Sequence, residues 1–204
     1  MRKLLLAIAV LSCSSLYGQV SPYVSSLFGV NGNLGYGNPS VEGAFGVESR
    51  GANYLVDTNT RLSYDRKMET GDGHTYYAAG MGYMKLGNAF VGAGGSYGDL
   101  QTSLWAKSRL APVIGSLFNL RRMRVNLSYQ MAGSDKLNGA REATGGVEFF
   151  LSPHWRLVEQ GSVINYYPTG QPQAGRVFGV DIRAGFKYML GNLGRKSRQI
   201  ASAD

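Results

Sequence analysis

Residues 177–190 read V-F-G-V-D-I-R-A-G-F-K-Y-M-L. Phe178, Val180, Ile182, Ala184, Phe186, Tyr188 and Leu190 share one parity; Val177, Gly179, Asp181, Arg183, Gly185, Lys187 and Met189 share the other. A period of two sends successive side chains to opposite faces of an extended strand. One face is then apolar throughout, and the other carries three charges. Two architectures use such a strand. A soluble sheet buries the apolar face in a core, whereas a transmembrane barrel turns it to lipid and keeps the charges in its lumen.

The same period recurs upstream. Val41, Phe45 and Val47 oppose Glu42, Glu48 and Arg50. Tyr54, Val56, Thr58, Thr60, Leu62 and Tyr64 oppose Asp57, Asn59, Arg61, Asp65 and Lys67. Met123, Val125, Leu127, Tyr129 and Met131 alternate with Arg122, Arg124, Asn126, Ser128 and Gln130. Val147, Phe149 and Leu151 oppose Glu142, Thr144 and Glu148. Weaker strands are expected over 20–30, with Val20, Val24, Phe28 and Val30 on one face, and over 154–167, where alternation breaks near 157–159. Two more, 74–86 and 89–98, are so rich in Gly and Ala that their facing is poorly specified. A last one is expected over 102–118, with Leu104, Ala106, Leu110 and Ile114 outward, Trp105, Lys107 and Arg109 inward, and a bulge or irregular end at Pro112.

That makes ten strands, with eight as the alternative count if the first is lost and two others merge. Longer polar connections are expected at 31–40, 68–73, 98–101, 133–139 and 169–175, and short turns at 51–52, 87–88, 119–121 and 152–153. Long loops at one end, short turns at the other and an even strand number fit a closed up-and-down antiparallel barrel. A soluble sandwich has no reason to sort its loops in this way.

Residues 1–18 have the form of a secretory signal: Arg2 and Lys3, an apolar run from Leu4 to Leu11, then small residues up to Gly18. Cleavage after Ser15 and after Gly18 both fit. The apolar run is too short to span a bilayer as a helix. The one cysteine, Cys13, lies within this segment; Val10-Leu11-Ser12-Cys13 resembles a lipoprotein processing box, and otherwise Cys13 leaves with the signal, so no disulfide framework is expected. The formal charge of +8 becomes +6 when Arg2 and Lys3 go. No basic helix or aromatic-basic cluster points to nucleic acid, and no run of eighteen apolar residues points to a helical membrane protein.

The signal, the glycine-rich alternating strands and the ending Arg183-Ala184-Gly185-Phe186-Lys187-Tyr188-Met189-Leu190 resemble the small bacterial outer-membrane β-barrel family. In that ending Gly185, Tyr188 and Leu190 match the closing-strand signal that the family's assembly machinery recognises. The resemblance covers roughly 19–190. It implies an outer-membrane location, with membrane lipids and the barrel assembly machinery as partners. The basic tail 191–204, with Arg195, Lys196 and Arg198 and expected to be disordered, departs from the family, whose closing strand is commonly the C-terminus itself.

Chemistry-bearing motifs are sparse. The two histidines are far apart, His74 following Gly71-Asp72-Gly73 and His154 following Ser152-Pro153 at a short turn; each is read as a rim or turn residue, so neither an enzyme nor a metal site nor a cofactor is expected. The charged residues are instead expected inside the barrel. Folding each hairpin about its turn sets Glu42 opposite Arg61 and Arg124 opposite Glu148. The last hairpin sets Arg183 opposite Glu159, provided a bulge near 157–159 turns Glu159 inward. Trp105, Lys107 and Arg109 form a candidate anion site at the mouth. With such side chains in an eight- to ten-strand barrel the bore is nearly filled. The expected function is a structural barrel or narrow passive channel. Surface recognition through the loops, or a soluble periplasmic ligand-binding barrel, are the alternatives.

Overall fold

A computed structural model describes residues 19–33, 36–65, 73–98, 109–132, 140–166 and 177–191. They form ten strands: β1 (Gln19–Asn33), β2 (Tyr36–Arg50), β3 (Tyr54–Asp65), β4 (Gly73–Leu86), β5 (Ala89–Gly98), β6 (Arg109–Asn119), β7 (Met123–Ala132), β8 (Ala140–Phe150), β9 (Trp155–Tyr166) and β10 (Val177–Met189). Each pairs antiparallel with its neighbours in sequence, and β1 pairs with β10 to close the barrel. No helix among the described residues is long and apolar enough to cross a membrane. Closure leaves no edge strand with unpaired backbone groups.

The closing strand has the two faces its sequence predicts. Ile182 is 64% exposed and Phe186 51%, while Asp181, Arg183 and Lys187 are buried. The outside of the barrel is apolar elsewhere too, with Phe28, Phe45, Leu62, Ile114 and Leu127 all exposed. The interior holds most of the strands' charges. That inversion of the soluble pattern excludes a ligand-binding barrel with a polar exterior.

Some expectations give way. The loop predicted over 31–40 is mostly ladder: Val30 to Asn33 pair with Pro39 to Tyr36, leaving 34 and 35 between β1 and β2. Glycine and asparagine there mark a hairpin end, since a ladder needs backbone groups rather than side chains. Val20 is buried, not exposed with Val24 and Phe28. Pro112 makes no bulge, for the β5–β6 register runs through it from Ala89↔Phe118 to Gly98↔Arg109. It does mark an end of pairing, because the ladder between β6 and β7 starts only at Val113↔Gln130. Proline has no N–H for that ladder. Of the strand predicted over 102–118, positions up to 108 lie outside the described residues, as does the tail from 192.

Candidate functional site

The site this fold offers is its bore, and among the described residues β2, β3, β7, β8, β9 and β10 deliver charge into it. Towards the short-turn end stand Glu48 (β2), Arg124 (β7), Glu148 (β8), Arg156 (β9) and Lys187 (β10). The Arg124 guanidinium donates to both Glu48 oxygens, at 2.7 and 3.1 Å. In a ring of ten strands β2 and β7 are five steps apart in either direction, so this bidentate pair bridges the full width of the bore. Arg156 donates to Glu148 at 2.8 Å and reaches Glu48 at 3.5 Å. Lys187 donates to Glu148 at 3.0 Å and sits 3.8 Å from the centre of the Tyr23 ring. The Tyr23 hydroxyl donates to Asp57 at 2.8 Å. Glu48 and Glu148 each serve two or more cations, which is how buried charges avoid the cost of desolvation without a partner.

A second tier lies deeper. Glu42, Gln130 and Glu142 each stand six residues further along their strands than Glu48, Arg124 and Glu148, about 15 Å along the axis at usual strand rise and tilt. Arg183 donates to Glu42, to the Ser63 hydroxyl at 3.0 Å and to Asp181 at 3.0 Å. Gln130 donates to Glu142 and accepts from Tyr77 at 3.0 Å and Ser96 at 2.9 Å. The Arg61 guanidinium lies 4.1 Å over the Tyr77 ring.

Glycine makes both tiers geometrically possible. Arg183 on β10 reaches Glu42 on β2 by crossing β1, and the β1 residue opposite it is Gly29. A Cβ at Gly29 would come within 2.7 Å of the Arg183 Cγ. Tyr23 likewise reaches Asp57 on β3 by lying across Gly46 of β2, where a Cβ would stand 2.3 Å from its ring. Small residues beneath long polar ones let a side chain lie flat over an intervening strand.

Between the tiers is a cavity of ≈ 170 Å³, with Tyr23, Asp57, Asn59, Asn126 and Gln160 among its lining. It is polar and roomy enough for a group of waters. One wall is apolar, where Met81, Tyr83, Val113 and Leu117 line the cavity and pack into a core cluster with Leu55 and Phe90. Among the described residues no cluster of His, Cys, Asp and Glu could hold a metal ion.

The predicted site residues fall out unevenly. Arg124 stands opposite Glu148, 3.7 Å apart, but its shorter contact is with Glu48. Glu42 stands opposite Ser63, and Arg61 opposite Ala44, two positions from the expected register. The Glu159–Arg183 pair does not exist. Arg183 is opposite Gln160, while Glu159 is opposite Ala184 and Val147 and faces outward, exposed. No bulge interrupts β9: both its ladders are continuous from one end to the other. The cost of displacing Val158, Ser162 and Ile164 from the interior outweighs that of one outward carboxylate. Trp105 and Lys107 lie outside the described residues, as does the side chain of Arg109. Of the closing-strand residues, Gly185 faces inward, Tyr188 packs on Trp155 at 4.8 Å, and Leu190 is exposed just past β10. Arg156 was missed because β9 reads as broken. The outward alternation of Trp155, Leu157 and Val163 is the signal that places it inside.

The sequence matches no protein-family model and no curated protein. Its fold matches solved structures of outer-membrane barrels. The outer-membrane protease OmpT from Escherichia coli is 7% identical, with 85% of this chain and 96% of that one covered at a TM-score of 0.50. The COG4313 outer-membrane channel from Pseudomonas putida F1 is 9% identical, with 85% and 96% covered at 0.48. Ail, the attachment invasion locus protein of Yersinia pestis, is 13% identical, with 84% and 99% covered at 0.34. What the OmpT structure shares with the chain is the closed antiparallel barrel, a fold of bacterial outer-membrane proteins.

Proposed function

We propose that this protein is a structural outer-membrane barrel, exported by its N-terminal signal, whose bore admits at most water and small ions. The observation carrying this reading is the ion pair of Arg124 and Glu48 across the diameter, braced by Arg156, Glu148 and Lys187. The side chains of these five are at most 13% exposed. A wide pore keeps its lining charges on the wall, hydrated and apart. Here they meet in the middle. The protein carries out no chemistry on this reading; its partners are membrane lipids and the machinery that inserts barrels.

Planar-bilayer recording tests it. Purified protein, first seen to be folded by a gel mobility that depends on boiling, is expected to give silence or small steps. Large, steady conductance steps at low voltage would overturn the proposal in favour of a general pore. Recovery as a soluble monomer without detergent would overturn the membrane location itself.

A further inference from the structure

Among the described residues four carboxylates line the cavity between the tiers, and one of them is unlike the rest. Glu42 and Glu148 form ion pairs with cations from other strands. Glu142 accepts from the Gln130 amide and, at 3.5 Å, from the Thr144 hydroxyl. Asp57 accepts from the Tyr23 hydroxyl at 2.8 Å and forms no ion pair among the described residues. The register explains why. Opposite Asp57 stand Glu48 on β2 and Met81 on β4, and neither can donate to it. Like charges directly opposite on one face of a sheet repel, and Glu48 is already taken up by Arg124 and Arg156. The Lys187 ammonium, standing over the Tyr23 ring, gives its hydrogen bond to Glu148 instead.

Asn59 repeats the pattern two residues further along β3, on the same inward face. Its Oδ1 is buried and meets no hydrogen-bond donor among the described residues. The residues opposite are Gly46 on β2 and Ala79 on β4, whose side chains have nothing to donate. Two groups with oxygens that accept therefore line one cavity, their strand positions about 7 Å apart. A buried surplus of acceptors is costly until a donor or a positive charge meets it. An anion would be repelled by Asp57 and Glu48 together.

The donor set narrows the occupant. Divalent calcium takes several carboxylates, and no group of three or more His, Cys, Asp and Glu suited to a metal occurs among the described residues. An alkali cation is satisfied by one charge and several neutral oxygens, as in filters built from carbonyl groups. Ser25, Asn126 and Gln160 line the same cavity and carry such oxygens. At ≈ 170 Å³ the space takes an ion of this kind with a few waters.

We infer that this cavity is a binding site for one monovalent inorganic cation, sodium or potassium, neutralised by Asp57 and further coordinated by Asn59. The ion reaches it along the bore, so the inference rests on a bore that admits small ions. It does not need a measurable current.

Denaturant unfolding of the barrel in phosphatidylcholine vesicles tests it, with sodium or potassium exchanged for N-methylglucamine, which is too large for the cavity. Ionic strength is held constant so that screening does not change. A ligand held by the folded state alone raises the folding equilibrium constant by the factor 1 + [L]/Kd. The expected result is a rise of at least about fivefold on reaching about 0.3 M sodium or potassium. Asp57→Asn should abolish the rise, whereas Glu159→Gln, on the outer face, should leave it intact. Asn59→Ala, which keeps the bond between Tyr23 and Asp57, should weaken it and serves as the check if Asp57→Asn does not fold. Coincident unfolding curves in all three cations would overturn the inference. So would a rise that persists in Asp57→Asn or is undiminished in Asn59→Ala, or a response to calcium with none to sodium or potassium. Boiling-dependent mobility reports insertion and bilayer recording reports a general pore, so failure of the structural reading is seen separately.

Discussion

Replacing Arg183 with alanine is expected to lower folded stability by about 3–5 kcal/mol, the usual cost of removing one partner from a buried ion pair. Arg183 and Glu42 have side chains 1% and 3% exposed, and Asp181 is equally buried. Without the guanidinium, two carboxylates and the Ser63 hydroxyl face one another in a closed space with their shared donor gone. The loss should therefore exceed that of an exposed pair, which is commonly under about 1 kcal/mol. Denaturant unfolding of protein folded into vesicles measures it. The combined Arg183→Met and Glu42→Gln variant should recover part of the loss, because it removes one charge along with the other. A loss below about 1 kcal/mol for Arg183→Ala would mean that the network contributes little.

The architecture was legible wherever one face is fully apolar, as in β10, because a register slip there would turn every side chain over. The facing of β4 and β5 was not, since Gly80, Gly82, Gly94 and Gly95 carry no preference of their own. The structure sets it through the few large residues, Met81, Tyr83 and Phe90 going inward. The ion network was legible only in part. Counting back from a turn gives neighbours on adjacent strands, and so it finds Arg124 opposite Glu148. It cannot find Arg124 with Glu48, whose strands meet only through the bore. Nor can it find Arg183 with Glu42, which depends on a glycine in the strand between. Closure creates those contacts, and hairpin arithmetic contains no term for it.

Glu159 is the instructive failure, and it carries the last expectation. A carboxylate facing lipid is costly, so the reading from sequence bent the strand to bring it in. The fold keeps the strand straight and leaves the carboxylate outside. Its nearest outward neighbours across the ladders are Ala184 and Val147, neither of which can pair with it. Aromatic pairs such as Trp155 with Tyr188 settle where hydrocarbon meets headgroups. Glu159 stands four residues beyond Trp155 on β9, about 10 Å above that level at usual rise and tilt, well inside an apolar band about 25 Å tall. Substitution Glu159→Leu should then raise folded stability in vesicles by about 1–2 kcal/mol, less than the ~2–4 kcal/mol that a lipid-facing Arg or Lys costs at mid-membrane. Glu159→Gln should recover a smaller part, because its amide still lacks a partner. Bilayer conductance should be unchanged in both, as the side chain never enters the bore. A neutral or destabilising Glu159→Leu would instead mean that the carboxylate has a partner in the membrane, and that this outward face of β8–β10 is occupied by something other than lipid tails.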